Sequence, residues 1–232
     1  MSSQSHARHL DENYRYQRHI YDLTREYYLL GRSRLIANLD ATADASVLEI
    51  GCGTALNLIR IHQRYPRAKL YGIDLSQMML ETADAALKRR QLNEKIVLAL
   101  GDATDFDANA LLGRNRFDRI FFSYSLSMIP PWKAALDHAA AHLVDGGSLH
   151  IVDFGDCREL AKPLKKALYA WLNQFRVTPR QALQQSLTDS VRTTQPGTPL
   201  RKVVSQLQLS RRPATGMSRA VRPLSGSGQA DK

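Results

Sequence analysis

The stretch Val47-Leu48-Glu49-Ile50-Gly51-Cys52-Gly53-Thr54-Ala55-Leu56-Asn57 decides the fold. Val47, Leu48 and Ile50 read as a short apolar strand. Gly51 and Gly53 follow at once, and a helical pattern starts near Ala55. A strand, a glycine turn and a helix in this order form the ligand loop of a doubly wound α/β sheet. The glycines let the backbone turn sharply and approach a ligand with no Cβ in the way. A dinucleotide fingerprint needs a third glycine at position 56, where Leu56 stands.

The neighbouring strands extend this reading. Glu49 stands two residues before the first glycine, where its carboxylate can meet a cationic ligand. Asp74 closes the next strand, Leu70–Asp74, and can accept two ribose hydroxyls. Asp102 follows a third strand, Ile96–Leu100, in Leu-Gly-Asp-Ala. Three acidic residues and two glycines thus fall at three successive strand ends, the side on which such sheets bind ligands. Singly, each has a bland reading: the glycines can be geometric, and Asp102 can cap a helix. The ordered set argues for a site.

Outward from this centre, a helix is expected over Ala55–Tyr65, ended by Pro66. Ser76 can cap a helix over Gln77–Gln91. Strand four is expected at Phe117–Phe122, and Pro130-Pro131 then imposes an extended loop before a helix over Lys133–Leu143. Gly146-Gly147 reads as a turn before strand five at Ser148–Phe154. Upstream, Glu12–Leu39 is helical in pattern, with Gly31 as an interruption. Tyr14, Arg18, Tyr21, Arg25, Tyr28 and Arg32 recur every three or four residues along it and share one face. They form either a lid over the site or an amphipathic helix with solvated arginines.

The 232 residues suffice for one domain with a full core and a modest appendage. No run of ~18 apolar residues predicts a membrane span, and Met1–Asp11 has no apolar centre of a signal peptide. Cys52 and Cys157 are the only cysteines, which suits a reducing cytoplasm and supplies neither a disulfide framework nor a metal-binding pattern. Cys52 reads as a small filler residue. The net charge of +10 is uneven. Met1–Cys157 has 18 Lys plus Arg against 19 Asp plus Glu, Arg158–Arg180 has six against one, and Asp189–Lys232 has eight against two. The basic excess is C-terminal and could meet an anionic membrane or a nucleic acid. Nucleic acid is the less expected partner, because Asp189–Lys232 has no aromatic residue on which a base could stack.

Over roughly Arg34–Gly155 the chain resembles the class I S-adenosylmethionine methyltransferases. The resemblance implies an α/β, doubly wound Rossmann-like methyltransferase sheet and S-adenosyl-L-methionine as cofactor. In that family the positions of Glu49, Gly51 and Gly53 line the methionine part, that of Asp74 holds the ribose, and those of Asp102 and Ala103 hold the adenine edge. Leu75, Met79 and Ser123 occupy further cofactor-lining positions. Ala55 stands where many members have glycine, and is expected to add a methyl group beside the cofactor.

A closer resemblance lies in Tyr14-Arg-Tyr-Gln-Arg-His-Ile-Tyr-Asp-Leu-Thr-Arg-Glu-Tyr-Tyr-Leu-Leu-Gly-Arg and Ser123-Tyr-Ser-Leu-Ser-Met-Ile-Pro-Pro-Trp. These stretches look like the methyltransferases of bacterial betaine-lipid synthesis, which methylate diacylglycerylhomoserine three times on nitrogen. The resemblance implies a lipid head group as substrate, met at a membrane surface by peripheral contact. Tyr21 and Tyr124 are the candidate catalytic residues, Tyr14, Tyr28 and Arg32 the candidate substrate contacts, and His19 and His150 further candidate contacts. The expected organisation is a helical lid over residues 1–40, the methyltransferase domain over 41–187, and a basic tail over 188–232. The family's C-terminal strand pair is missing or degraded in the tail, where only Val203–Leu209 reads as a strand. The tail is either a disordered arm or the product of a shifted reading frame.

Overall fold

The computed structural model describes residues 31–153. Five parallel strands lie in the order β3-β2-β1-β4-β5: β1 Ser46–Ile50, β2 Lys69–Asp74, β3 Ile96–Leu100, β4 Phe117–Ser123 and β5 Leu143–Val152. Helices α1 Arg32–Asn38, α2 Leu56–Arg64, α3 Gln77–Lys88, α4 Ala108–Leu112 and α5 Trp132–Ala141 connect or flank them. The chain runs outward from β1 to β3, then returns to β4 on the other side of β1. That reversal opens a crevice at the C-terminal ends of β1 and β4, the place where open α/β sheets bind ligands.

Side-chain alternation explains the two layers. Val47 and Phe121 face one side, packed with Leu35 and Leu39 of the α1 segment, Leu58 and Ile61 of α2, and Ala83 and Leu87 of α3. Leu48, Ile50, Ile120 and Phe122 face the other, against Leu112 of α4 and Ala135, Leu136 and Ala139 of α5. Both faces of the central strand β1 are covered, and all five of its residues are buried. The α/β doubly wound expectation is met.

Several boundaries differ from the sequence reading. The helix after Ser76 stops at Lys88, and Gln91 turns with φ 57°. Leu126–Met128 forms a 3-10 turn, Ile129 before the two prolines is extended as expected, and α5 begins at Trp132 and ends at Ala141. Gly146-Gly147 is not a turn before the last strand but a bulge within it. β5 starts at Leu143, and its pairing with β4 slips between Phe117↔Leu143 and Arg119↔Ser148. Gly146 takes φ 75°, and a Cβ at Gly147 would meet the Val144 carbonyl at 2.9 Å. Helix α4 was not anticipated. Asp107 caps it by accepting from the Asn109 and Ala110 N–H groups, and Gly113 ends it in the left-handed conformation. The region where the family's C-terminal strand pair is expected to be missing or degraded, the domain boundary at 187–188 and Val203–Leu209 lie outside the described residues.

Candidate functional site

The glycine turn is held from three sides. The Gly51 and Cys52 N–H groups both donate to the Ile73 carbonyl, at 2.9 and 3.0 Å, folding the turn over the end of β2. Gly51 has φ 75°, and a Cβ there would lie 2.5 Å from the Ser125 Cβ. Ser125 in turn donates from Oγ to the Ile50 carbonyl at 2.8 Å, tying the segment after β4 to the end of β1. Gly53 has φ 54°, and the space where its Cβ would sit is open. Its N–H donates to Asp74 Oδ2 at 2.7 Å, while the Ser76 N–H donates to Asp74 Oδ1 at 2.9 Å. Asp74 therefore shapes the turn from the end of β2.

Glu49 is 1% exposed, on β1. Its Oε1 accepts from Asn57 Nδ2 on α2 at 2.6 Å. A carboxylate only accepts, so the Asn57 amide presents its NH2 to Glu49 and turns Oδ1 away. Asn57 Oδ1 and Ser123 Oγ are buried polar atoms with no hydrogen-bond partner. Glu49, Asn57 and Ser123 line a narrow cleft together with Arg32, Gly51 and Thr54. A carboxylate, a guanidinium and two orphaned oxygen atoms thus converge beside an open glycine turn. At the far side, Asp102 Oδ1 accepts from the Thr104 N–H and Oγ, at 3.0 and 2.8 Å, closing a tight turn after β3.

The other anticipated residues fall into distinct surroundings. Leu75 and Ala103 are half-buried beside Asp74 and Asp102. Ser76 caps α3 as expected, accepting from the Met79 N–H at 3.3 Å, and Met79 is buried. Arg32 begins α1 after Gly31, whose φ of 98° breaks any helix arriving from upstream. Its guanidinium carbon stands 6.0 Å from the centroid of the Tyr124 ring. Tyr124 is 1% exposed, packs in the core cluster with Leu35 and Phe121, and holds a left-handed φ of 58°. Tyr14, Tyr21, Tyr28 and His19 lie outside the described residues.

Three expectations are refined by the structure. Ala55 does take the left-handed conformation that glycine favours, φ 60°, but its methyl is fully buried in the core rather than set beside the crevice. His150 is absent from the cleft lining. It bonds through Nε2 to Ser148 Oγ at 2.8 Å, and burial, aided by the Arg119 charge, lowers its pKa to about 4, so the ring is neutral at neutral pH. Burial, then the Asp74 and Glu49 charges, push the Cys52 thiol well above its ordinary range, so it is a protonated filler and not a nucleophile. Asn57 and Ser125 were missed. Asn57 had one signal: an amide in the first turn of an otherwise apolar helix face, eight residues after Glu49.

S-Adenosylmethionine presents an α-ammonium, an α-carboxylate, a sulfonium, a ribose diol and an adenine. The cleft is only about 20 Å³, but the charge of its lining matches the amino-acid end, since Glu49 and the orphaned Asn57 oxygen match an ammonium and Arg32 matches a carboxylate. The open space at Gly53 admits a ligand against the backbone. A larger groove of about 530 Å³ runs along the open edge of β3, lined by Glu81, Asp84, Val97 and Leu100, but it includes none of Glu49, Asp74 and Asp102. Among the described residues no acidic, histidine or cysteine cluster fits a metal ion, and no helix is long and apolar enough to cross a membrane.

Known proteins are similar to this chain in sequence and in fold. Residues 47–147 match the sequence profile of the family described as "Methyltransferase domain". A tRNA1(Val) (adenine(37)-N6)-methyltransferase of Porphyromonas gingivalis is 37% identical over 84 residues, covering 34% of this chain and 33% of that protein. The ribosomal RNA small subunit methyltransferase C of Pasteurella multocida is 28% identical over 134 residues, covering 53% of this chain and 37% of that protein. The chain thus spans about a third of the length of either relative. A SAM-dependent methyltransferase from Aquifex aeolicus, 16% identical, has the same fold, with a TM-score of 0.55 over 72% of this chain and 81% of that one. The glycine turn and the ends of β1, β2 and β3 all lie within residues 47–147, the stretch that matches a methyltransferase domain.

Proposed function

We propose that the chain is an S-adenosylmethionine-dependent N-methyltransferase that converts diacylglycerylhomoserine to its trimethylated betaine lipid. The observation that carries the activity is the convergence of Arg32, Glu49 and Asn57 in one cleft beside the glycine turn. In this reading Glu49 and Asn57 take the cofactor's ammonium, Arg32 its carboxylate, Asp74 the ribose, and Asp102 and Ala103 the adenine edge. Leu75 and Met79 back the adenosine, and Ser123 borders the methyl-transfer position. The lipid substrate rests on the resemblance of Tyr14–Arg32 and Ser123–Trp132 to the betaine-lipid enzymes.

The cofactor supplies a methyl group already activated on a sulfonium. The protein has to align an amine lone pair with the carbon–sulfur bond and exclude water. The amine must be neutral to attack, so one proton leaves per transfer. Product charge becomes a fixed quaternary ammonium, which aromatic faces attract by ~0.5–2 kcal/mol each. Tyr14, Tyr21 and Tyr28 supply such faces in this reading, and Tyr124 packs beneath Arg32 at the end of β4. Arg158–Arg180, with Trp171 and Phe175 among its basic residues, is the segment proposed to meet the membrane surface.

The two relatives named above are RNA methyltransferases, and with the basic C-terminal charge they favour RNA as a second reading. One experiment separates the two. The full chain is incubated with methyl-labelled S-adenosylmethionine and, in parallel, liposomes containing diacylglycerylhomoserine, liposomes containing phosphatidylethanolamine, and deproteinised tRNA and rRNA. Label entering the homoserine lipid supports the proposal. Label entering RNA alone replaces it with the second reading, and label in phosphatidylethanolamine alone overturns the head-group assignment.

A further inference from the structure

The turn that carries Asp102 is fastened to helix α5 by a histidine. Within the turn, the Phe106 N–H donates to the Asp102 carbonyl at 3.1 Å, and Asp102 Oδ1 is closed by Thr104. A Cβ at Gly101 would come within 3.3 Å of the Phe106 Cβ, so the turn lies tightly on the end of β3. Its far end is the Phe106 carbonyl, which bonds to His138 Nε2 at 3.0 Å. A carbonyl only accepts, so Nε2 carries the hydrogen. The buried Phe106 ring stands edge-on to the His138 ring, 4.7 Å between centroids, and stacks on His142 at 4.9 Å. His142 Nδ1 donates to the His138 carbonyl at 2.9 Å, so the two imidazoles form one braced unit on the helix.

We propose that His138 is a positioning residue for the adenine end of the site, holding Asp102 and Ala103 in place through the Phe106 carbonyl. The inference rests on the cofactor reading given above. The effect of His138 passes to the turn through one backbone hydrogen bond and one ring contact. Because the bond acts on the site indirectly, its loss is expected to weaken binding by roughly twofold to twelvefold at most.

The test uses the full chain, with His138→Leu and His138→Gln. Leucine keeps bulk but cannot donate, whereas glutamine supplies a side-chain N–H near the same place. 5′-Methylthioadenosine is the probe, because it carries adenine and ribose but no amino-acid end. Calorimetry should show a fall in its affinity of roughly twofold to twelvefold in His138→Leu, an equal fall for S-adenosylmethionine, and recovery of most of the affinity in His138→Gln. Hydrogen exchange on the ligand-free protein should show the Phe106 amide exchanging faster in His138→Leu. Unchanged affinity for 5′-methylthioadenosine in a folded His138→Leu variant, even one with a lowered Tm, would assign His138 a packing role only and overturn the proposal. Wild-type protein that binds neither ligand would instead remove the cofactor reading, and this inference with it.

Discussion

Gly51→Ala tests whether the turn geometry is as tight as its surroundings imply. The added methyl would meet Ser125 Cβ at 2.5 Å and Ser125 Oγ at 3.0 Å. Ser125 Cβ is anchored directly to backbone and cannot swing away like the tip of a long side chain. Three costs follow. An alanine at φ 75° carries about 1–2 kcal/mol of left-handed strain. Forcing a methyl into filled space costs roughly 1–3 kcal/mol. Displacing Ser125 breaks its 2.8 Å bond to the Ile50 carbonyl, worth about 1 kcal/mol. The expected loss of about 3–6 kcal/mol is a large part of a typical domain's roughly 5–15 kcal/mol. Gly53→Ala makes the contrast, because its Cβ would meet no atom within 4 Å. It should cost only the backbone strain of about 1–2 kcal/mol while lowering S-adenosylmethionine affinity. Urea denaturation followed by circular dichroism measures the first quantity and calorimetry the second. Equal stability losses in the two variants would refute the packing argument. So would a Gly51→Ala, Ser125→Gly double variant that recovers nothing.

Two further outcomes are expected. Asn57→Leu removes the 2.6 Å bond to a Glu49 carboxylate that is 1% exposed, so cofactor affinity should fall by about tenfold or more in equilibrium titration, with a smaller effect on 5′-methylthioadenosine; an equal effect on both ligands would place Asn57 outside the amino-acid end. His150 has a folded pKa of about 4 against an unfolded value near 6.5, so the unfolded chain binds the extra proton first as pH falls. Stability should therefore decline between about pH 6.5 and 4, by about 3 kcal/mol at most, and His150→Gln should flatten that part of the decline; identical pH profiles for the two proteins would show that His150 does not contribute.

The core of the fold was legible because it is written in local patterns. Val47–Ile50, Lys69–Asp74 and Ile96–Leu100 are short apolar strands, each followed by a turn residue, and all three were found where expected. The acidic strand ends were legible for the same reason, since strand polarity sets the end of the sheet at which Glu49, Asp74 and Asp102 stand. Contacts distant in sequence were not. Asn57 meets Glu49 across the glycine turn with only its place in the helix's first turn to mark it, and Ser125 meets Ile50 between neighbouring strands with no local spacing to announce it. Helix α4 is too short to show a helical period, and only its Asp107 and Gly113 caps mark it. The bulge at Gly146-Gly147 resembles an ordinary turn in sequence, because glycines serve both. Tyr124 and Ala55 hold left-handed conformations against their own preference, and tertiary packing imposes what the residue type disfavours.

The central claim is that the ends of β1, β2 and β3 hold S-adenosylmethionine, and Asp74 is its most exacting position. Asp74 links the Gly53 and Ser76 N–H groups at 2.7 and 2.9 Å and is the proposed ribose acceptor. Calorimetric titration of S-adenosylmethionine into wild-type protein and Asp74→Ala, each shown to be folded by circular dichroism, tests it directly. Saturable one-to-one binding to wild type is predicted. In Asp74→Ala the affinity should fall by about a hundredfold or more, since two charge-assisted hydrogen bonds at about 1.5–3 kcal/mol each are lost. A folded Asp74→Ala protein that binds with wild-type affinity, or a wild-type protein that shows no binding, would contradict the account.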